Sequence, residues 1–310
     1  MLTALESLLP VLVVIAAGWA VRRFGLIDEA GRTGIDRLAY YVLFPCLIVL
    51  TLGLADYGVL SWRALGATLF LSVVTMGALC LMLQPLLRSA IGLEGPAFTS
   101  VFQGATRWNT FVALALAGSL FGTEGLTLIA VAIVAMVPVL NLMAVVVLSH
   151  YAGGARPPLL VLVREIARNP LIIACVIGLV LSTTGLRPAG PVAATLDILG
   201  RAALAIALVA VGMGLDIRAL RRPRARHLIG TALRLLVMPL IGFGYATVFQ
   251  LSGAALGTAI VALAAPTAAN AYLLARQLGG DDRLMAEIIT LQTICATVTL
   301  PMWLTLLVVV

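Results

Sequence analysis

Lysine is absent from this chain: all 20 basic residues are arginine, set against 13 acidic ones. Charge of either sign is scarce, at 11% of 310 residues, and aromatics contribute 6%. A soluble domain carries about 25% charged residues, so too little polar surface exists here to cover a water-soluble globule. The four cysteines, Cys46, Cys80, Cys175 and Cys295, stand singly inside apolar runs without CxxC spacing. That pattern gives no support to a metal or redox site and reads as small buried hydrophobes. HExxH, GxSxG and GxxxxGK[ST] are missing, as is a membrane-buried acid pair, so no enzyme chemistry and no cofactor are expected. The net charge of +7 does not call for a nucleic-acid partner. Most of the arginines fall in short loops between apolar runs, where they orient helices in a bilayer.

What the chain has is hydrophobic length. Hydrophobic residues make up 62% and mean hydropathy is +1.13. The apolar runs are continuous and about 20 residues long, as helices crossing a bilayer require. A membrane barrel would show short alternating segments instead. The expected fold is an all-α polytopic membrane protein with spans at 7–24, 37–55, 62–83, 97–121, 126–149, 169–186, 192–215, 228–250, 254–277 and 285–308. The first run follows Glu6 without a basic lead, so it reads as a span and not as a signal peptide. Loops after the odd-numbered spans hold 15 arginines: Arg22, Arg23, Arg32, Arg37, Arg88, Arg156, Arg164, Arg168, Arg218, Arg221, Arg222, Arg224, Arg226, Arg276 and Arg283. The opposite loops hold three, Arg63, Arg187 and Arg201. The richer side is expected to face the cytoplasm, which leaves both termini outside. Arg107 and Arg234 remain inside spans four and eight.

The chain also repeats itself. Pro10, Gly18, Gly25 and Leu26 recur at one constant offset as Pro170, Gly178, Gly185 and Leu186. At nearly the same offset "LGATLF" from Leu65 matches "IGTALR" from Ile229, Asn109 matches Asn270, and "FGTEGL" from Phe121 matches "LGGDDRL" from Leu278. Two halves of five spans each have an odd count, so the second must start from the opposite side of the bilayer. Such inverted repeats are typical of secondary transporters, which bind substrate near the midplane where discontinuous helices meet. A duplication kept only for packing is the alternative. The expected organisation is a first repeat at 1–152, a cytoplasmic linker at 153–168 and a second, inverted repeat at 169–310.

Spans four and nine are interrupted. Span nine reads "ALAAPTAANAYLLAR", where Pro266 removes a backbone donor and clashes with the preceding turn. Thr267 and Asn270 follow it, placed to satisfy the freed backbone groups and, with Pro266, to contact substrate. Span four reads "QGATRWNTFVAL", with Gly104, Thr106 and Asn109 marking the break. Unwound backbone survives at membrane depth only beside protein or a water-filled cavity, and free N–H groups at helix ends attract anions. Arg107 adds a full charge and a planar fork that fits carboxylate. Its place near the middle of a long apolar run argues against snorkelling to the interface. Arg234 lies near one end of span eight, where snorkelling suffices. Pro45 is expected to kink span two, and Pro138 with Asn141 span five; Thr106 and Asn141 are also candidate substrate contacts. Gln292 and Thr293 are candidates to line the site, and Trp108 is either packing or a substrate contact. His150 and His227 read as interface residues at span ends. A channel would need a ring of like groups that a pseudo-twofold chain does not obviously supply.

At these residues the sequence resembles the auxin efflux carrier family of bacterial and plant transporters, which includes PIN-FORMED and malonate-type carriers. The resemblance runs along nearly the whole chain. It includes "LLPVLVVIAAGWAVRRFGLID", "RLAYYVLFPCLIVLTL", "RWNTFVALALAGSLFGTEGL", "RNPLIIACVIGLVLSTTGL", "ALAIALVAVGMGLDI", "APTAANAYLLARQLGGD" and "TLQTICATVTLPMWL". It implies ten spans as two inverted repeats of five, with spans 1, 2, 6 and 7 as a scaffold that usually dimerises. Spans 3–5 and 8–10 form a transport domain in which broken spans four and nine cross. The implied protein is an elevator-like carrier in a bacterial inner membrane, moving a small carboxylate. Asn109 matches the first crossover, Pro266 and Asn270 the second. Plant carriers have proline where Trp108 stands; Arg107 looks like the bacterial pattern. A sodium-coupled bile-acid-type transporter and a non-transporting sensor share the architecture and stay open as alternatives.

Overall fold

The computed structural model describes residues 2–55, 62–153, 158–215 and 223–307. Arg156, Arg218, Arg221 and Arg222 of the arginine-rich set lie outside them. Among the described residues every regular element is a helix. Six helical stretches are long and apolar enough to cross a membrane, Glu29–Leu54, Trp62–Ile91, Gly95–Tyr151, Gly190–Met213, Ala225–Val248 and Asp282–Leu306. Many large apolar side chains face outward, such as Val13, Phe70, Val146, Val176 and Val298. An aqueous surface would penalise them, whereas lipid accepts them.

The helices start and stop where local chemistry directs. Helix α1, Leu2–Arg23, ends on Arg22 and Arg23, with Gly25 in the left-handed region at φ 72°. Helix α2, Glu29–Leu38, is capped by Asp28, whose carboxylate accepts from Gly31 N. It runs through a π-helical turn, Ala39–Leu43, into α3, Phe44–Leu54. Pro45 stands in the first turn of α3, so the expected irregularity of this span is there. The wider turn accommodates the ring and the missing donor. Helices α4, Trp62–Ile91, α5, Gly95–Thr106, and α6, Thr110–Tyr151, follow. Where a loop was expected between spans four and five, α6 instead bends sharply at Gly122, with φ 58° and ψ −140°. That conformation is open essentially to glycine alone. Pro138 does not interrupt the helix.

The segment expected as a plain linker holds a helix, α7, Leu159–Ala167, with Leu160 and Val163 exposed. Helix α8, Pro170–Thr184, is capped by Asn169, whose side chain accepts from Leu171 N and Ile172 N, and it ends at Gly185, φ 76°. Gly25 and Gly185, matched in sequence, thus close their helices alike. Then come α9, Gly190–Met213, α10, Ala225–Ala232, a second π-helical turn, Leu233–Val237, and α11, Met238–Val248. The chain finishes with α12, Gly253–Ala264, α13, Asn270–Gln277, and α14, Asp282–Leu307.

Two packing groups result. Helices α1 and α9 cross so closely that a Cβ on Gly18 would strike Val209 O, and one on Gly212 would strike Ile15 O. Helix α3 packs on α8 and α9, with Gly178 against Leu52 and Gly200 against Leu47. Small residues at such crossings let backbones approach and gain dispersion contact, which drives helix association in lipid. In the second group α6 and α12 are central, surrounded by α4, α5, α11 and α14. Leu69, Val73, Ile133, Ile260 and Leu263 fill its interior.

Candidate functional site

The site begins with two short helices that stop inside the molecule. Helices α5 and α12 each have 12 residues. Each starts from an extended residue, Glu94 (φ −142°, ψ 172°) or Ser252 (φ −142°, ψ 171°), followed by a left-handed glycine, Gly95 (φ 55°) or Gly253 (φ 53°). Each ends on an extended residue, Arg107 (φ −73°, ψ 153°) or Ala265 (φ −60°, ψ 141°). The chain resumes as helix at Thr110 and at Asn270. The breaks lie at 107–109 and 265–269, so Gly104 stands in the last turn of α5 and not in the break itself. Its hydrogen has another use: a Cβ there would lie 2.8 Å from Ile288 Cγ2, so glycine lets α14 close on α5.

The two breaks touch. Asn109 N donates to Pro266 O at 2.7 Å. Thr267 Oγ1 donates to Gly104 O at 2.9 Å and to Arg107 O at 3.2 Å. Gln292 Nε2, from α14, donates to Gly104 O at 2.8 Å and to Gly230 O at 3.1 Å, while its Oε1 accepts from Thr267 N at 2.9 Å. A helix end leaves its last carbonyls unpaired, and an unpaired buried carbonyl is costly. Thr267 Oγ1 and Gln292 Nε2 meet that demand, and Gln292 Oε1 takes up the Thr267 N–H. Their role is to tie the breaks together, which the sequence reading did not separate from ligand binding. The Thr106 hydroxyl also turns back, to Phe102 O at 2.8 Å.

Arg234 overturns the snorkelling expectation. It is fully buried, at 0% exposure. Its Nε donates to Ala265 O at 2.7 Å, Nη2 to Ala262 O at 2.9 Å, and Nη1 to Thr106 O at 3.2 Å. One guanidinium therefore bridges the C-terminal ends of both broken helices. The signal for it was present, since an ionisable residue within a span is functional by default. Proximity to a span end concealed it.

Arg107 is different. The residue is 8% exposed; Nη2 donates to Asn141 Oδ1 at 3.1 Å, while Nη1 is buried without a partner among the described residues. Asn109 is also buried, and its Oδ1 caps α6 by accepting from Phe111 N at 3.1 Å and Val112 N at 3.2 Å. Trp108 is buried in the core between them. Asn270 is exposed at the start of α13. Gln103, one turn before Arg107, has both amide atoms buried and unpartnered among the described residues, and sequence reasoning missed it because a lone glutamine carries no motif.

Asn141 also lines a cleft of about 390 Å³ together with Tyr40, Tyr41, Arg164, Arg168 and Asn169. A much smaller apolar slot of about 20 Å³ holds Pro266 and Thr293 among side chains of α1, α6 and α14. His227, expected at an interface, is buried instead, with Nε2 2.6 Å from Glu287 Oε2.

Stacked apolar helices with two interrupted members meeting inside define the class, a multi-pass helical membrane protein. The membrane transport protein family matches residues 3–304, and the chain belongs to that family, the auxin efflux carrier family. It is similar to an uncharacterized transporter from Methanothermobacter thermautotrophicus, 26% identical over 302 residues that cover 96% of each chain. It is also similar to one from Methanocaldococcus jannaschii, 21% identical over 306 residues, 96% of this chain and 97% of the other.

Proposed function

We propose that this protein is a secondary transporter for a small organic anion, with the substrate carboxylate held at the crossing of the two breaks. The observation that carries the reading is the buried Nη1 of Arg107, which has no partner among the described residues. A desolvated donor with a permanent charge is costly unless an acceptor comes to it. A carboxylate oxygen is the acceptor that best matches a guanidinium fork. Asn109 and Asn270 supply further polar contacts, while Thr106, Thr267 and Gln292 hold the backbone that presents them. Trp108 and Pro266 shape the walls.

The cleft beside Asn141 leads toward Arg107 from the side that carries Arg164 and Arg168, two of the 15 arginines assigned to the cytoplasm. The slot that holds Pro266 and Thr293, at about 20 Å³, is too small for an organic acid. This asymmetry supports a conformation open to the cytoplasm and closed to the outside. Alternating access then follows if the group around α6 and α12 slides, elevator-like, against α1, α3, α8 and α9. In this reading the latter four form the dimerising scaffold, in a bacterial inner membrane with both termini extracytoplasmic.

A thermal-shift screen of small mono- and dicarboxylates on the purified protein tests the substrate class. A ligand that binds only the folded state raises the apparent Tm by mass action. A dose-dependent rise with a carboxylate, absent with its amide, is the expected result. Flux of that carboxylate in proteoliposomes then separates transport from binding alone.

A further inference from the structure

The chemistry around Arg234 says something about coupling. Carbonyls at the C-terminal ends of broken helices carry partial negative charge, and in transporters built this way such carbonyls are where a sodium ion or proton is coordinated. Here Thr106 O, Ala262 O and Ala265 O, from the ends of both half-helices, converge on one point, and the point is filled. The Arg234 side chain reaches it from the π-helical turn of 233–237 with a donor for each carbonyl, at 3.2, 2.9 and 2.7 Å. No carboxylate is paired with it among the described residues, so its charge is balanced by these helix ends. Nearby, Gly104 O is held by Thr267 and Gln292, and Pro266 O by Asn109. The carbonyls that would coordinate an ion are thus engaged by the protein's own donors.

We propose that the Arg234 guanidinium is a resident cation, standing where a coupling ion would otherwise sit, so that the crossover needs no sodium to stay assembled or to bind its anion. The proposal deepens the transporter reading and rests on it. It also assigns the two buried arginines opposite tasks. Arg234 is a positioning residue with its donors spent on backbone, and Arg107 keeps a donor for the ligand.

The test measures thermal unfolding of the purified full-length protein in sodium, potassium and choline chloride at matched ionic strength. Wild type is expected to show one Tm in all three salts. A saturable rise specific to sodium would overturn the proposal. Arg234→Ala, which uncovers the carbonyls, is expected to lower Tm in choline by roughly 5–10 °C. It is further expected to regain part of that loss with millimolar ethylguanidinium or with sodium, neither of which moves wild type. A merely structural arginine would give the fall without the recovery, and that outcome also counts against the proposal. If Arg234→Ala yields no folded protein, Arg234→Lys takes its place: its ammonium keeps a cation on the carbonyls, so it is expected to fold with a Tm that sodium does not move, and either failure to fold or a sodium-specific rise counts against the proposal. These readouts involve no carboxylate. A wrong substrate class therefore leaves them unmoved, and a sodium effect leaves the Arg107 site standing.

Discussion

Two arginines inside the membrane look alike in a sequence and differ in what their nitrogens do. Arg234 spends its donors on three carbonyls, whereas Arg107 has Nη2 on Asn141 and Nη1 without a partner among the described residues. Loss of one charge-assisted bond costs ~1.5–3 kcal/mol, about a tenfold to hundredfold fall in affinity. Arg107→Gln is therefore expected to weaken carboxylate binding by that factor in calorimetry while remaining monodisperse in detergent. Arg107→Lys keeps the charge but loses the fork, and is expected to be impaired as well. Wild-type affinity in Arg107→Gln would make this arginine structural. The opposite pattern is expected of Gln292→Leu. It strands Thr267 N and removes one donor each from Gly104 O, which keeps Thr267 Oγ1, and Gly230 O, which keeps Leu233 N, the stranded buried donor alone being worth ~1–3 kcal/mol. Its Tm should fall clearly, with any ligand affinity left in the folded fraction close to wild type. A normal Tm with lost binding would show that Gln292 touches the ligand.

Among the elements, the short helices α5 and α12 matter most, since their ends create the site. Their starts at Gly95 and Gly253, like that of α9 at Gly190, use glycine because the chain enters the left-handed region there. Gly122 is the sharpest case, at φ 58° and ψ −140°. It folds the two arms of α6 back so that the second arm brings Asn141 to Arg107. Gly122→Ala is expected to cost about 1–3 kcal/mol from backbone strain alone, seen as a lower Tm in detergent. An unchanged Tm would mean that the bend relaxes freely. Hydropathy revealed the apolar helical stretches because each is a local run. It did not reveal α7, whose apolar residues look like part of a loop between spans, nor the π-helical turns, which depend on how neighbouring helices pack.

At the scale of the molecule, the arginine asymmetry predicts orientation. A periplasmic-active reporter such as alkaline phosphatase, fused after Val310, is expected to be active, and a cytoplasmic-active one silent. The reverse pair of results would invert the topology and the side assigned to the cleft. The close crossing of α1 and α9 through Gly18 and Gly212 belongs to the group against which the proposed elevator-like movement would slide. Packed interfaces of this kind shift between discrete arrangements and do not deform continuously.

The membrane class, the all-helical architecture and the breaks at 107–109 and 265–269 were determined by the sequence itself. Each of these depends on local hydropathy, on proline or glycine, or on one charge in an apolar run, all of which are written along the chain. Only the tertiary structure decided which polar groups remain available. Gln292 is 188 residues from Gly104 and Arg234 is 128 from Thr106 along the chain, yet each pair is hydrogen-bonded. Whether a buried donor serves the backbone or awaits a ligand depends on which carbonyls the other half of the molecule brings within about 3 Å, and no linear pattern records that.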